Sequence, residues 1–187
     1  MKTIRALSLA LLGSAVLGLT FGQPAQGQSR PAVSQTVDPI QAIKQQYATI
    51  NKSAASYTTV KKELSGYSAE GGTLIAYFDG PKIMKMVVNH YGEGGRAIEE
   101  YYYSDNRLIF VFRKDSGYDT PMSGKVVYTG ENRFYFNKNR LIRWINEDAR
   151  QVAPGSREYL AKEKEYLQLS REFTDGARSR KSTIETR

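Results

Sequence analysis

Apolar residues after position 38 follow the spacing of a helix. They recur at steps of three and four, which places one face of a helix at these positions: Ile40, Ile43, Tyr47 and Ile50. Asp38 is a good N-cap, and Pro39 suits the first helical position because its missing N–H has no partner there anyway. The pattern predicts an amphipathic helix that begins at Asp38 and continues toward Leu64, weakened by the β-branched residues 58–60.

From Gly72 onward the spacing changes to that of strands. Seven strand-length segments, rich in β-branched and aromatic residues, follow one another between residues 72 and 146. Short turn signals built from Gly, Asn, Asp and Pro separate them. Short links join antiparallel neighbours, whereas parallel neighbours need a crossover of about a dozen residues or more. The sequence therefore predicts an antiparallel β-meander of six to seven strands.

A second helical pattern follows the strands, over residues 154–173. Ser156 is its expected N-cap, and three aromatic residues share one face: Tyr159, Tyr166 and Phe173. Residues 175–187 are polar and have no periodicity, so we expect a disordered tail. The whole pattern predicts an α+β domain over residues 38–174, with an N-terminal helix, the meander, and a C-terminal helix packed on one sheet face.

Two stretches of the meander read alike. "YYYSDNRLIFVF" at 101–112 and "FYFNKNRLIRWI" at 134–145 each have an aromatic triplet, an Asn-containing turn and then Arg-Leu-Ile. "YFDGPKIMKM" at 77–86 follows the same plan more loosely. Asn tolerates the positive φ of a two-residue hairpin turn, which places the turns at Asp105–Asn106 and Lys138–Asn139.

Regular pairing from these turns places Tyr102 opposite Ile109 and Tyr135 opposite Ile142. Each aromatic–aliphatic pair contributes on the order of 0.2–1 kcal/mol. Alternation then divides the apolar residues between two faces. One face carries Tyr101, Tyr103, Leu108, Phe110, Phe134, Phe136, Leu141 and Ile145. The other carries Tyr102, Ile109, Val111, Tyr135, Ile142 and Trp144.

Both faces of this sheet are apolar, although a sheet with one solvated face should alternate apolar and polar residues. We expect the two helices to cover one face. The other face is then either a curved, Tyr-rich surface that stays half wet, or an aromatic binding surface. In the second case its residues are Tyr102, Tyr135 and Trp144, with Ile109 and Ile142 beside them.

The hairpin arrangement resembles the short β-hairpin units of MORN-type repeats. These hairpins lack the Gly after the turn and the Glu-Gly step of full MORN units, so the resemblance implies no membrane-lipid function. The helix-plus-meander plan is also similar to small uncharacterised exported bacterial proteins, and to helix-on-sheet modules of the cystatin-like or β-lactamase-inhibitor-like kind. Such likeness concerns the fold and implies little about function.

The first 27 residues have the features of a secretory signal peptide. Lys2 and Arg5 precede an apolar run over residues 6–19. Ala25-Gln26-Gly27 fits a small-x-small cleavage site, and Thr20-Phe21-Gly22 is a second candidate. The run is shorter than the roughly 20 residues that span a bilayer. We therefore expect cleavage after Gly27, a periplasmic or secreted protein without a transmembrane segment, and a flexible linker over residues 28–37.

The chain is basic, with 27 Lys and Arg against 19 Asp and Glu, a formal net charge of +8. Removal of residues 1–27 takes away two basic residues and leaves +8 − 2 = +6. No block of like charges and no nucleic-acid motif accompanies this excess, so we expect no specific nucleic-acid partner. The expected partner is an unknown protein or a component of the cell envelope.

Candidate chemistry is sparse. The chain has no Cys, and the single His90 lies at a predicted strand end, so neither a catalytic triad nor a typical zinc site is indicated. Glu99 and Glu100 are adjacent in a strand and point to opposite faces, so they cannot flank one glycosidic bond. The glycines at 68–72 and 92–95 indicate turns rather than phosphate loops. We predict no catalytic, cofactor-binding or metal-binding residues.

These observations favour a non-catalytic extracytoplasmic module that binds its partner through the Tyr- and Trp-bearing sheet face. A small carrier that encloses an apolar ligand between sheet and helices is the first alternative, and an enzyme of unrecognised type is the second. A filled core between helices and sheet would favour the binding module, whereas a deep apolar cavity there would favour the carrier.

Overall fold

The computed structural model describes residues 38–186, and these form two α-helices, a short 3₁₀ helix (Ala54–Ser56) and an eight-stranded sheet. The elements are α1 (Pro39–Lys52), β1 (Thr58–Ser65), β2 (Gly72–Asp79), β3 (Lys82–Gly92), β4 (Gly95–Ser104), β5 (Arg107–Tyr118), β6 (Val126–Asn137), β7 (Arg140–Ile145), α2 (Arg157–Arg178) and β8 (Thr183–Glu185). The strand order is β7-β6-β5-β4-β3-β2-β1-β8. This confirms the predicted α+β fold, an antiparallel meander between an N-terminal and a C-terminal helix.

The predicted signal peptide, residues 1–27, and the predicted linker, residues 28–37, lie outside the described residues. Within the described part of the chain, neither helix combines the length and the apolar character needed to cross a membrane.

Helix α1 begins as the sequence predicts and ends earlier. The side chain of Asp38 accepts a hydrogen bond from the backbone N–H of Ile40 at 3.0 Å, which caps the first turn. The helix ends at Lys52 and does not continue toward Leu64. The β-branched residues 58–60 instead begin strand β1, which pairs antiparallel with β2. Strand propensity together with pairing to a neighbour outweighs the continued helical spacing here.

The expectation of a disordered tail at residues 175–187 is also wrong. Helix α2 continues to Arg178, and strand β8 then pairs in parallel with β1. Ile184 is buried, and the Nζ of Lys62 on β1 donates a hydrogen bond to the carbonyl of Ser179 at 2.8 Å. One buried isoleucine in a polar run creates no periodic signal, so the sequence pattern did not indicate this strand.

A β-bulge follows the turn between β4 and β5. Tyr103 pairs with Leu108 as expected, but Tyr102 pairs with Phe110. Ile109 is therefore the extra residue and has no partner in the ladder. Both Ile109 and the following Phe110 pack on the same side of the sheet.

The same irregularity recurs at the corresponding place in two other hairpins. Ile142 is the extra residue between β6 and β7, and Met84 is the extra residue between β2 and β3. Each bulge moves the residues that follow it to the face opposite the one that strict alternation predicts. The predicted faces of Phe110, Val111 and Trp144 are wrong for this reason, as is that of Ile145.

The two helices cover opposite faces of the sheet, so the expectation that both cover one face is wrong. Helix α2 packs on a large core through Tyr159, Tyr166 and Phe173; its largest sheet residues are Tyr101, Tyr103, Phe134, Phe136 and Trp144. Helix α1 packs on a smaller cluster, which we call the α1 cluster: Ile40, Ile43, Ile50, Tyr102, Phe110 and Tyr135. Each apolar face thus has its own helix.

Candidate functional site

The structure brings four of the five predicted site residues together under α1. Tyr102 and Tyr135 belong to the α1 cluster and are 0% and 9% exposed. Ile109 and Ile142, the two bulge residues, are half-buried and pack against the same cluster. Trp144 lies on the opposite face, in the α2 core, and is 8% exposed. The predicted surface of Tyr102, Tyr135 and Trp144 therefore does not exist as one surface.

Trp144 is a core residue of β7 whose side chain contacts β6. Its indole Nε1 donates a hydrogen bond to Oδ1 of Asn132 at 2.9 Å. Its ring lies 5.2 Å from the ring of Phe134, centroid to centroid. The bulge at Ile142 causes this placement, because strict alternation would put Trp144 on the same face as Tyr135.

A connected row of aromatic rings links α1 to the sheet. The ring of Tyr47 on α1 lies 4.8 Å from that of Tyr102 and 5.6 Å from that of Phe110. Phe110 continues the row to Tyr135, at 4.9 Å. Tyr47 remains 39% exposed, so one end of the row reaches solvent. Such offset and tilted contacts stabilise aromatic pairs beyond the area that they bury.

A polar network fixes the C-terminal end of α1. Oδ1 of Asn51 accepts a hydrogen bond from Nζ of Lys85 at 3.1 Å and lies 3.1 Å from the hydroxyl of Tyr102. The Tyr102 hydroxyl also hydrogen-bonds to the Glu100 carboxylate, which forms an ion pair with Lys85 at 3.0 Å. Burial and the neighbouring Glu100 raise the pKa of Tyr102 well above its usual range, so the hydroxyl remains a donor.

Beside α1 this arrangement leaves an open cleft of about 350 Å³, which we call the α1 cleft. Its apolar lining consists of Ile43, Tyr47, Phe110, Phe112 and Tyr135. Its charged lining consists of Lys44, Glu100, Glu131 and Arg133. A concave site with an apolar lining and a few fixed polar groups is the usual form of a binding site.

The charged groups of the α1 cleft are largely paired with one another or with neighbours. Arg133 forms an ion pair with Glu131 at 2.5 Å, and its guanidinium lies 5.5 Å from the ring centre of Phe112. Glu100 is paired with Lys85 outside the cleft. Lys44 is exposed on the first half of α1. The cleft therefore presents aromatic surface between groups of both signs, rather than a strong field of one sign.

The sequence pattern identified only part of this site. Ile43 and Tyr47 lie on the helix face that the spacing predicted, and Tyr135 was a predicted site residue. Phe112, Glu131 and Arg133 were missed. Phe112 and Arg133 are direct neighbours across β5 and β6, and the bulge at Ile109 determines the face on which Phe112 lies. A register without bulges places Phe112 on the other face.

A second cluster of ionisable groups lies on the α2 side of the sheet. Glu99 is 1% exposed and accepts hydrogen bonds from the Tyr101 hydroxyl and from Nη1 of Arg113, both at 2.7 Å. His90 Nε2 lies 3.3 Å from the same carboxylate. Burial alone would raise the pKa of Glu99, but the hydrogen bond with His90 and the charge of Arg113 hold it at about 2.

This cluster is arranged as a structural link between β3, β4 and β5. Arg113 also forms an ion pair with Asp115 at 2.7 Å, so its charge is shared between two carboxylates. Burial, followed by the charge of Glu99, raises the pKa of Tyr101 well above its usual range. Glu99 also accepts a hydrogen bond from the Tyr166 hydroxyl at 3.4 Å, and an ionised carboxylate with four donors around it is poorly suited to transfer protons near neutral pH. Glu100 points to the other face, as strand alternation predicts.

Within residues 38–186, His, Asp and Glu side chains form no group of three or more that could hold a metal ion. Comparison of the chain with family models, with curated proteins and with solved structures gave no significant match. The functional proposal therefore depends on the geometry of the sites described above.

Proposed function

We propose that the protein is a non-catalytic extracytoplasmic binding module that holds a protein or cell-envelope partner in the α1 cleft. The observation that carries this proposal is the open cleft of about 350 Å³ whose aromatic lining reaches solvent at Tyr47. Partly exposed aromatic rings provide contact area at a low cost in conformational entropy, which is why tyrosine is common in binding surfaces.

The lining of the cleft favours an amphipathic partner over an enclosed apolar ligand. Four charged side chains line it beside the aromatic rings, and an apolar carrier cavity would leave such groups without solvation. On the other sheet face, the rings of Phe134 and Tyr166 pack at 4.5 Å in a filled core. These features support the binding module rather than the carrier.

The ion pairs of the cleft favour binding over catalysis. Glu131 is held by Arg133 at 2.5 Å and Glu100 by Lys85 at 3.0 Å. Each carboxylate is therefore engaged by a neighbouring cation and is not placed as a free group facing a bound molecule. Paired carboxylates instead suit the recognition of hydroxyl, amide and amino groups on a partner.

The proposal is tested by comparing how much cell-envelope material immobilised variants retain from a detergent-solubilised envelope fraction. Arg133→Gln removes the guanidinium of the cleft, and Tyr47→Ala removes its exposed ring. Leu160→Ala, an exposed apolar residue on α2, is the matched control. We expect both cleft variants to retain at least tenfold less of the envelope component than the unchanged protein does. Leu160→Ala should retain the same amount as the unchanged protein. Equal retention by all folded variants would contradict the proposal.

A further inference from the structure

The repeated hairpins place basic residues in a row at one end of the sheet. The first residue after the turn is basic in all three: Lys82, Arg107 and Arg140. The hairpins β2–β3, β4–β5 and β6–β7 lie side by side in an antiparallel meander, so their turns share one end of the sheet. Strands lie about 4.8 Å apart, so successive turns are separated by about 10 Å.

Helix α2 adds two arginines to this row. Nη2 of Arg178 donates to the carbonyl of Pro81 and to Oδ1 of Asn106, each at 3.3 Å, and so joins the first two turns. Arg171 lies further up the helix, beside the second and third turns. We call these five basic residues the turn ridge: Lys82, Arg107, Arg140, Arg171 and Arg178. Arg140 is paired with Glu163 at 3.4 Å.

A groove of about 270 Å³ lies between α2 and the second and third turns. Arg107 and Arg171 line it together with the amides of Asn106 and Asn139. Both arginines are exposed, and within residues 38–186 neither has an ion-pair partner. Asp175 is the acidic residue of the lining.

The positions of the two amides are fixed by the turns. Asp105 and Asn106 have φ of 48° and 59°, and Lys138 and Asn139 have φ of 50° and 60°. Consecutive positive φ values are those of type I′ turns, the form that two-residue hairpins prefer. Each turn therefore places one Asn in the lining of the groove and one basic residue directly after it.

We propose that the turn ridge and its groove bind a linear, phosphate-bearing polyanion of the cell envelope. A guanidinium presents a planar set of donors that matches phosphate geometry, and the groove holds two such groups without internal partners. Cations repeated at about 10 Å along an edge fit a chain of regularly spaced charges better than a single anion. The net charge of +6 expected after removal of residues 1–27 adds a long-range attraction. This site is separate from the α1 cleft.

The probe is fluorescently labelled inorganic polyphosphate, and binding to the full-length protein is measured by anisotropy over a series of salt concentrations. The test variant is Arg107→Gln with Arg171→Gln. The control is Arg96→Gln with Arg150→Gln, which makes the same change of net charge at exposed positions near the opposite end of the sheet. Circular dichroism melts of all three proteins establish that they are equally folded.

We expect the test variant to bind polyphosphate at least tenfold more weakly than the unchanged protein. The slope of log K against log salt should fall by about two, one for each lost contact. The control should change less than about threefold, because only the general attraction weakens. Equal losses in test variant and control would overturn the proposal, since net charge alone would then explain binding.

Two competitors separate a polymer site from other uses of the same arginines. Unlabelled polyphosphate should displace the probe, whereas orthophosphate at the same total phosphate concentration should not. Equal displacement by orthophosphate would overturn the assignment to a polymer. Tighter binding of a single-stranded oligonucleotide with the same number of phosphates would overturn the assignment to an envelope polyanion.

Discussion

Tyr102 lies opposite Phe110 across β4 and β5, and Ile109 between Leu108 and Phe110 has no partner. This bulge turns Ile109 and Phe110 toward the same face, where Phe110 joins the aromatic row under α1. Phe112, two residues further on, then lines the α1 cleft. The lining of the proposed binding site thus depends on one extra residue in the hairpin.

Deletion of Ile109 should therefore damage the fold more than loss of its side chain. Ile109→Ala removes part of a half-buried contact and should cost about 1–2 kcal/mol of unfolding free energy. Deletion moves Phe110, Phe112 and the rest of β5 to the wrong faces and should cost more than about 4 kcal/mol or abolish folding. Urea unfolding of both variants measures the difference. Equal stability of the two would show that the bulge does not determine the face.

Both helices and strands β2–β7 were accessible from the sequence, but β1, β8 and the strand faces beyond each bulge were not. Asn and Asp turn residues located two hairpins correctly, because a positive φ has few suitable residues. The bulges left no sign in the apolar run after Leu108. Lys85 and Arg143 were signs of the other two bulges. Strict alternation puts each beside an apolar partner on a buried face, whereas the bulge moves each to the α1 side.

Trp144 provides a test of the corrected face. Because it is buried in the α2 core, Trp144→Ala should cost about 3–5 kcal/mol of unfolding free energy, whereas Trp144→Phe should cost much less. Neither change should affect binding in the α1 cleft, provided that the protein remains folded. Chemical unfolding monitored by far-UV circular dichroism gives the stabilities. A stable Trp144→Ala protein that had lost binding would restore the original surface assignment.

Glu99 should make the free energy of unfolding depend on pH in the acidic range. Its pKa falls from 4.5 to about 2 on folding, so its stabilising effect is complete above about 4.5 and is lost as the pH falls toward 2. At pH 7, Glu99→Gln should cost about 3 kcal/mol, because the ionised carboxylate loses its interactions with His90 and Arg113, whereas Arg113 keeps its pair with Asp115. The difference in unfolding free energy between Glu99→Gln and the unchanged protein should shrink as the pH falls from about 4.5 to 2.

Urea unfolding at several pH values between 7 and 2 measures this effect. Glu70→Gln is the control, because Glu70 is exposed and outside the cluster. A constant difference between Glu99→Gln and the unchanged protein across this range would contradict an ionised, stabilising Glu99.

The hydroxyl of Tyr102 should control how firmly α1 is held. Tyr102→Phe keeps the aromatic contacts with Tyr47 and Phe110 but removes the hydrogen bond to Glu100 and the contact with Asn51. We expect a global loss of about 1–2 kcal/mol. Amide hydrogen exchange should accelerate in α1 more than in α2. Uniform acceleration in both helices would contradict a local role for this network.

The most direct measurement of the proposed binding function is site-specific photocrosslinking in the native host. A photoreactive phenylalanine analogue replaces Lys44 in the α1 cleft in one strain and the exposed Lys164 on α2 in another. The proposal predicts a discrete adduct at position 44 that disappears when Tyr47→Ala is added, and no such adduct at position 164. The same adducts at both positions, or an adduct at 44 that Tyr47→Ala leaves unchanged, would contradict binding in the cleft.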